Sequence, residues 1–178
     1  MISLLVLFWI FVIIFAFIGL LRGWAKELLV SLGAIAALFL LALIERYVPA
    51  ITSPMSVTTL FWFRTCGLLA LVSIAYLAPK LPALAINVRL SFESLQNSIL
   101  GMIIGAFNGY LIAGSVWHFL EKAKYPFPGV LTAPDAGGAA GEKAIWLISH
   151  LPPTWLEIPT IYFAVVVILV VVILALRS

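Results

Sequence analysis

The stretch GLLRGWAKELLVSLG, Gly19 to Gly33, sets Arg22, Lys26 and Glu27 close together between two long apolar runs. Charges in such a place read either as a link that stays in water or as a reactive site, and the choice decides the fold. As a link, the stretch joins two antiparallel membrane helices. Gly19 and Gly23 let the chain turn and pack, while Arg22 and Lys26 hold it on the positive side of the membrane. Trp24 suits the headgroup level. Glu27 enters the first turn of the second helix, where negative charge meets the positive end of the helix dipole.

The rest of the chain supports the membrane reading. Of its 178 residues 65% are hydrophobic and 10% charged, and the mean hydropathy is +1.23, far above what a soluble core and surface need. Five segments, 2–21, 27–45, 58–78, 97–119 and 159–177, are apolar enough to cross a bilayer. Such a crossing takes about 20 helical residues. A backbone in lipid must satisfy its own hydrogen bonds, and no segment alternates as a barrel strand does. The fold class is therefore all-α and polytopic, with about five transmembrane helices plus a short interfacial helix. Three parts follow: a four-span bundle over 1–119, a link over 120–158 outside the cytoplasm, and an additional C-terminal span over 159–178.

MISLLVLFWIFVIIFAFIGLL lacks both the basic start and the small-residue cleavage site of a signal peptide, so the first segment is expected to be retained. Lys and Arg divide evenly, with Arg22, Lys26, Lys80, Arg89 and Arg177 facing Arg46, Arg64, Lys122, Lys124 and Lys143. Arg64 sits inside an apolar run and Lys143 in mid-link, which favours an outside N-terminus and a cytoplasmic C-terminus. No Lys/Arg run of the kind that binds nucleic acid is present. Cys66, the sole cysteine, excludes an intrachain disulfide.

In the fourth span, Gly101, Gly105 and Gly109 repeat every four residues and strip one helical face of side chains, so another backbone can approach. Asn108 lies on that helix and reads as a packing contact. The spans otherwise carry almost no ionisable residue near their middle, which counts against a proton-coupled transporter and leaves a passive pore open. The fifth span, bulky and β-branched, reads as a lipid-facing anchor or a surface for a partner's apolar side chains.

No catalytic or metal-binding motif is present, and no cofactor is expected. His118 and His150 read as interfacial polar residues, with His118 as an axial ligand to a pigment or haem the remaining alternative. Whether lipid or pigment binds is left open. Glu121, Asp135, Glu142 and Glu157 read as solvated. Ala144, Leu147, Ile148 and Leu151 share one side at helical spacing, with Trp146 and Trp155 suited to the headgroup level. A short helix along the outer membrane surface, ended by Pro152 and Pro153, is expected there.

LLRGWAKELLVSLG resembles the Arg-Gly-aromatic-x-basic-Glu signature that joins the first two spans of the colicin V production protein (CvpA) family. LSFESLQNSILGMIIGAFNGYLIAG is similar to the Leu-Gly-x-x-x-Gly-x-x-x-Gly opening of that family's fourth span, and AIWLISHLPP looks like the amphipathic segment after it. The resemblance covers roughly residues 1–155. It departs where the family usually has Asp-Arg before the fourth span and this chain has Asn97 and Ser98. It departs again where the family has Arg-Gly within that span and this chain has Asn108 and Gly109, and once more in the extra fifth span. The resemblance implies a bacterial inner-membrane protein linked to colicin production and envelope homeostasis, without established enzymatic activity. Two functions fit: a scaffold or accessory subunit of a membrane assembly, such as a photosynthetic or respiratory complex, and a channel or transport component. The expected partners are membrane lipid and other membrane subunits or a second copy.

Overall fold

A computed structural model describes residues 3–80, 94–127, 131, 133–134 and 137–177. Arg89 and Asp135 fall outside the described residues. The chain forms α1 (Leu4–Arg22), α2 (Trp24–Tyr47), the single turn α3 (Pro49–Thr52) and α4 (Val57–Leu77), which ends in a 3-10 turn over Ala78–Lys80. Then come α5 (Ser94–Lys122), α6 (Ala139–Ile148), the short α7 (Pro152–Trp155) and α8 (Thr160–Arg177). No strand occurs among the described residues.

Among the described residues, four helices are long and apolar enough to cross a membrane: Leu4–Arg22, Trp24–Tyr47, Val57–Leu77 and Leu95–Lys122. The protein is an all-helical, polytopic membrane protein. The fifth expected span is α8, Thr160–Arg177, which packs along α2.

Local chemistry sets the boundaries. Gly23 alone separates α1 from α2, with φ 83° and ψ 159°, a conformation open essentially to glycine. The expected link is thus shorter than the sequence suggested, and Trp24, Lys26 and Glu27 all belong to α2. A Cβ at Gly23 would also lie 2.7 Å from the Asn97 side chain. Gly23→Ala is therefore expected to cost about 1–3 kcal/mol, measured as a shift in detergent-induced unfolding. At α4, the Ser56 hydroxyl caps the helix by accepting from the Thr59 N–H at 3.2 Å.

The longest helix, α5, forms the centre, in contact with α1, α2, α4, α6 and α7, while α2 also packs against α4 and α8. α1 lies antiparallel on α5, as Gly23 near Gly101 and Val12 near Gly109 require. The partner of the glycine face is therefore α1 of the same chain. A Cβ on Gly19 would lie 2.9 Å from the Gly101 carbonyl carbon, and one on Gly109 2.8 Å from the Val12 Cα. Side chains are absent at these crossings because backbone already fills the space.

The amphipathic face of α6 docks on the bundle. Ala144, Leu147 and Leu151 bury against Phe8 and Trp117, with Ile148 packed partly beside them. Trp146 stays 63% exposed on the other side. Pro152 and Pro153 follow the end of α6 and open α7, pre-set for a helical first turn. Gly114 makes room for that turn, since a Cβ there would lie 2.7 Å from Pro152 Cδ. α8 rests on α2 through the Phe39–Tyr162 ring pair, centroids 5.9 Å apart, and a 3.2 Å Tyr47–Tyr162 hydroxyl contact.

Candidate functional site

Because α2 starts directly after Gly23, Lys26 and Glu27 occupy adjacent positions on its first turn and point apart. Lys26 is exposed, whereas Glu27 is 0% exposed. A carboxylate out of water is costly unless paired and hydrogen-bonded. Every partner it needs is present. The Arg22 guanidinium donates through NH1 to Glu27 Oε1 at 2.7 Å. Its NH2 donates to the Tyr76 carbonyl at 3.2 Å, and its carbon lies 4.3 Å over the Tyr76 ring. On the other oxygen, Asn108 Nδ2 donates to Glu27 Oε2 at 2.9 Å and to the Glu27 carbonyl at 3.0 Å. The Tyr76 hydroxyl approaches the same Oε2 at 3.5 Å. Ser31, one turn beyond Glu27 on the same face, donates its hydroxyl to Asn108 Oδ1 at 2.7 Å.

Residues from α1, α2, α4 and α5 thus converge on one buried carboxylate. Oε1 accepts from the Arg22 guanidinium and Oε2 from Asn108, with the Tyr76 hydroxyl beside it, so both oxygens of the buried carboxylate are engaged by the fold. Chemically the arrangement is a polar lock that fixes helix register. Both oxygens and both nitrogen contacts hold α2 against its neighbours where lipid provides no apolar drive for helix association.

Of the residues singled out in the sequence, Arg22, Glu27 and Asn108 meet in this lock, directly beside the glycine crossing. Gly23 and Trp24 lie at its edge, where Asn97 Oδ1 accepts from the Trp24 N–H at 3.3 Å. Asn97 and Asn108, both singled out in the sequence, therefore face the Gly23–Glu27 segment. Gly101, Gly105 and Gly109 line the α1 contact. Lys26 and His118 lie apart from the lock. His118 sits near the end of α5, at the opposite end of the bundle, and its Nδ1 is buried without a hydrogen-bond partner among the described residues. No group of three His, Cys, Asp or Glu side chains placed to hold a metal occurs among the described residues.

Ser31, Tyr76 and the Glu45–Arg64 pair were not anticipated. The signal for Ser31 was legible: Glu27 and Ser31 are one turn apart on an otherwise apolar helix, and Asn108 is a lone amide in another. Polar groups stranded in lipid seek each other. Arg64, noted in the sequence as a charge inside an apolar run, donates through Nε and NH2 to Glu45 at 2.7 and 2.6 Å. This fork explains how α4 carries an arginine so far along its apolar length.

Among known families, the one described as Colicin V production protein matches residues 5–133, which run from the second residue of α1 past the end of α5. No curated protein and no solved structure matches the chain.

Proposed function

The chain belongs to the colicin V production protein family, and from that premise we propose that it is a non-enzymatic scaffold or accessory subunit of a membrane assembly. That family is not a known enzyme family. The proposed setting is the bacterial inner membrane, N-terminus outside and C-terminus cytoplasmic, within an assembly such as a photosynthetic or respiratory complex. The observation that carries the reading is the use made of buried polarity. Glu27, Asn108 and Ser31 spend their hydrogen bonds on one another and on neighbouring helices, which serves rigidity. Outward, α1 presents Trp9, Ile13 and Phe17 and α8 presents Phe163, Val166 and Val167, all more than half exposed. These apolar ridges suit lipid and the transmembrane helices of other subunits.

Extraction in a mild detergent followed by size separation tests the proposal. The expected result is migration with other membrane subunits in fixed proportion. Migration of the chain alone would overturn it, as would flux of ions or small solutes through the purified protein in proteoliposomes above that of empty vesicles.

A further inference from the structure

At the end of the bundle remote from Glu27, a cavity of about 660 Å³ opens between α2, α4, the last turns of α5 and the segment from α7 to α8. That is the size range of small-molecule sites, about 300–1,000 Å³. Its walls divide by chemistry. Arg46, Arg64, Lys122 and His118, with Glu45 and Glu157, supply a polar side. Leu38, Leu41, Phe119, Leu156 and Ile158 supply an apolar one.

The cationic groups are not all used by the fold. Arg64 is committed to Glu45 through the two-pronged contact at 2.7 and 2.6 Å. Glu45 is thereby neutralised, leaving Glu157 as the remaining carboxylate in the wall. Arg46 and Lys122 are exposed, and no ion pair holds either of them among the described residues. His118 also lines the wall. Cations therefore outnumber the free acid in the cavity.

We propose that this cavity binds an anionic phosphate ester. Its oxygens accept hydrogen bonds, which matches the guanidinium of Arg46 and the ammonium of Lys122. Such a group reaches the protein from two sources, a phospholipid headgroup or a soluble phosphate ester. The lipid source fits the placement better. The cavity sits at the ends of membrane-crossing helices, where headgroups lie, and its apolar wall offers a surface for the first methylenes of an acyl chain.

The test uses the full chain purified in a neutral detergent. Binding of dihexanoyl phosphatidylglycerol, dihexanoyl phosphatidylcholine and glycerol 3-phosphate is measured by thermal shift for the wild type and for Arg46→Gln/Lys122→Gln. Both side chains are exposed and outside any ion pair, so the double variant should keep the wild-type unfolding temperature without ligand. The expected result is phosphatidylglycerol binding at least tenfold weaker in the double variant, and phosphatidylcholine binding weaker than phosphatidylglycerol in the wild type. Glycerol 3-phosphate binding the wild type as tightly as phosphatidylglycerol, and losing affinity in the variant, supports the phosphate site with a soluble source. Equal phosphatidylglycerol affinity in both proteins, or equal affinity for both lipids, overturns the proposal. Should the double variant unfold, Arg46→Gln alone decides in its place: unchanged phosphatidylglycerol binding there overturns the proposal, and weakened binding supports it.

Discussion

Glu27→Ala is expected to lower the stability of the bundle by about 3–5 kcal/mol, the range found when one partner of a buried ion pair is removed. Arg22 keeps some access to solvent, its side chain being 21% exposed, which places the loss toward the lower end. The reason lies in what stays behind. The guanidinium loses its counter-charge, and the Asn108 amide loses its side-chain acceptor while retaining the Glu27 carbonyl. Neutral interhelical hydrogen bonds average only about 0.6 kcal/mol, so a loss of that size would mean that the charge contributes nothing. Glu27→Gln separates the two effects, since it keeps the shape and a carbonyl acceptor for Asn108 but removes the charge. Reversible unfolding in mixed micelles, followed by tryptophan fluorescence, should rank wild type above Glu27→Gln and that above Glu27→Ala. An alanine variant as stable as the wild type would rule out the lock.

The second large effect is expected at the α1–α5 crossing. A Cβ at Gly105 would lie 2.9 Å from the Gly19 Cα, which is backbone and cannot rotate aside. Overpacking of this kind costs about 1–3 kcal/mol for a small addition, and Gly105→Ala should fall there. Gly105→Leu should do more. It pushes α1 off α5, and Arg22, at the end of α1, leaves Glu27 with it. The expected outcome is loss of folded protein from detergent extracts, with normal accumulation of Gly138→Leu as the control, because nothing lies within 4 Å of a Cβ at Gly138. Full recovery of folded Gly105→Leu would show that the two backbones do not touch.

The spans were readable in the sequence because burial in lipid demands long apolar runs whatever the tertiary arrangement. The face of α5 was readable for the same reason, since three glycines in register have few other uses. What covers that face was not. Gly19 is one residue in an apolar run, and only the crossing geometry of two helices distant in sequence reveals it as the partner. Glu27 was placed in the first turn of the second helix, where it lies, but its burial was not readable: Gly23 closes the link in one residue and turns Glu27 inward while Lys26 turns out. The docking of α6 was foreshadowed by the spacing of Ala144, Leu147 and Leu151. Its target, Phe8 and Trp117, depends on α1 and α5 already lying together.

That dependence has a consequence in time. α1 makes its main contact with α5, and about 80 residues of chain separate Gly19 from Gly101. Synthesis runs at about 5–20 residues per second, so the first helix waits on the order of 4–16 s before its glycine partner leaves the ribosome. Throughout that interval Arg22 and Glu27 are already joined by a single turn of chain, but Asn108 has not been made. α1 is thus secured only once α5 has been made, and its tenure in the bilayer until then falls to lipid and the insertion machinery.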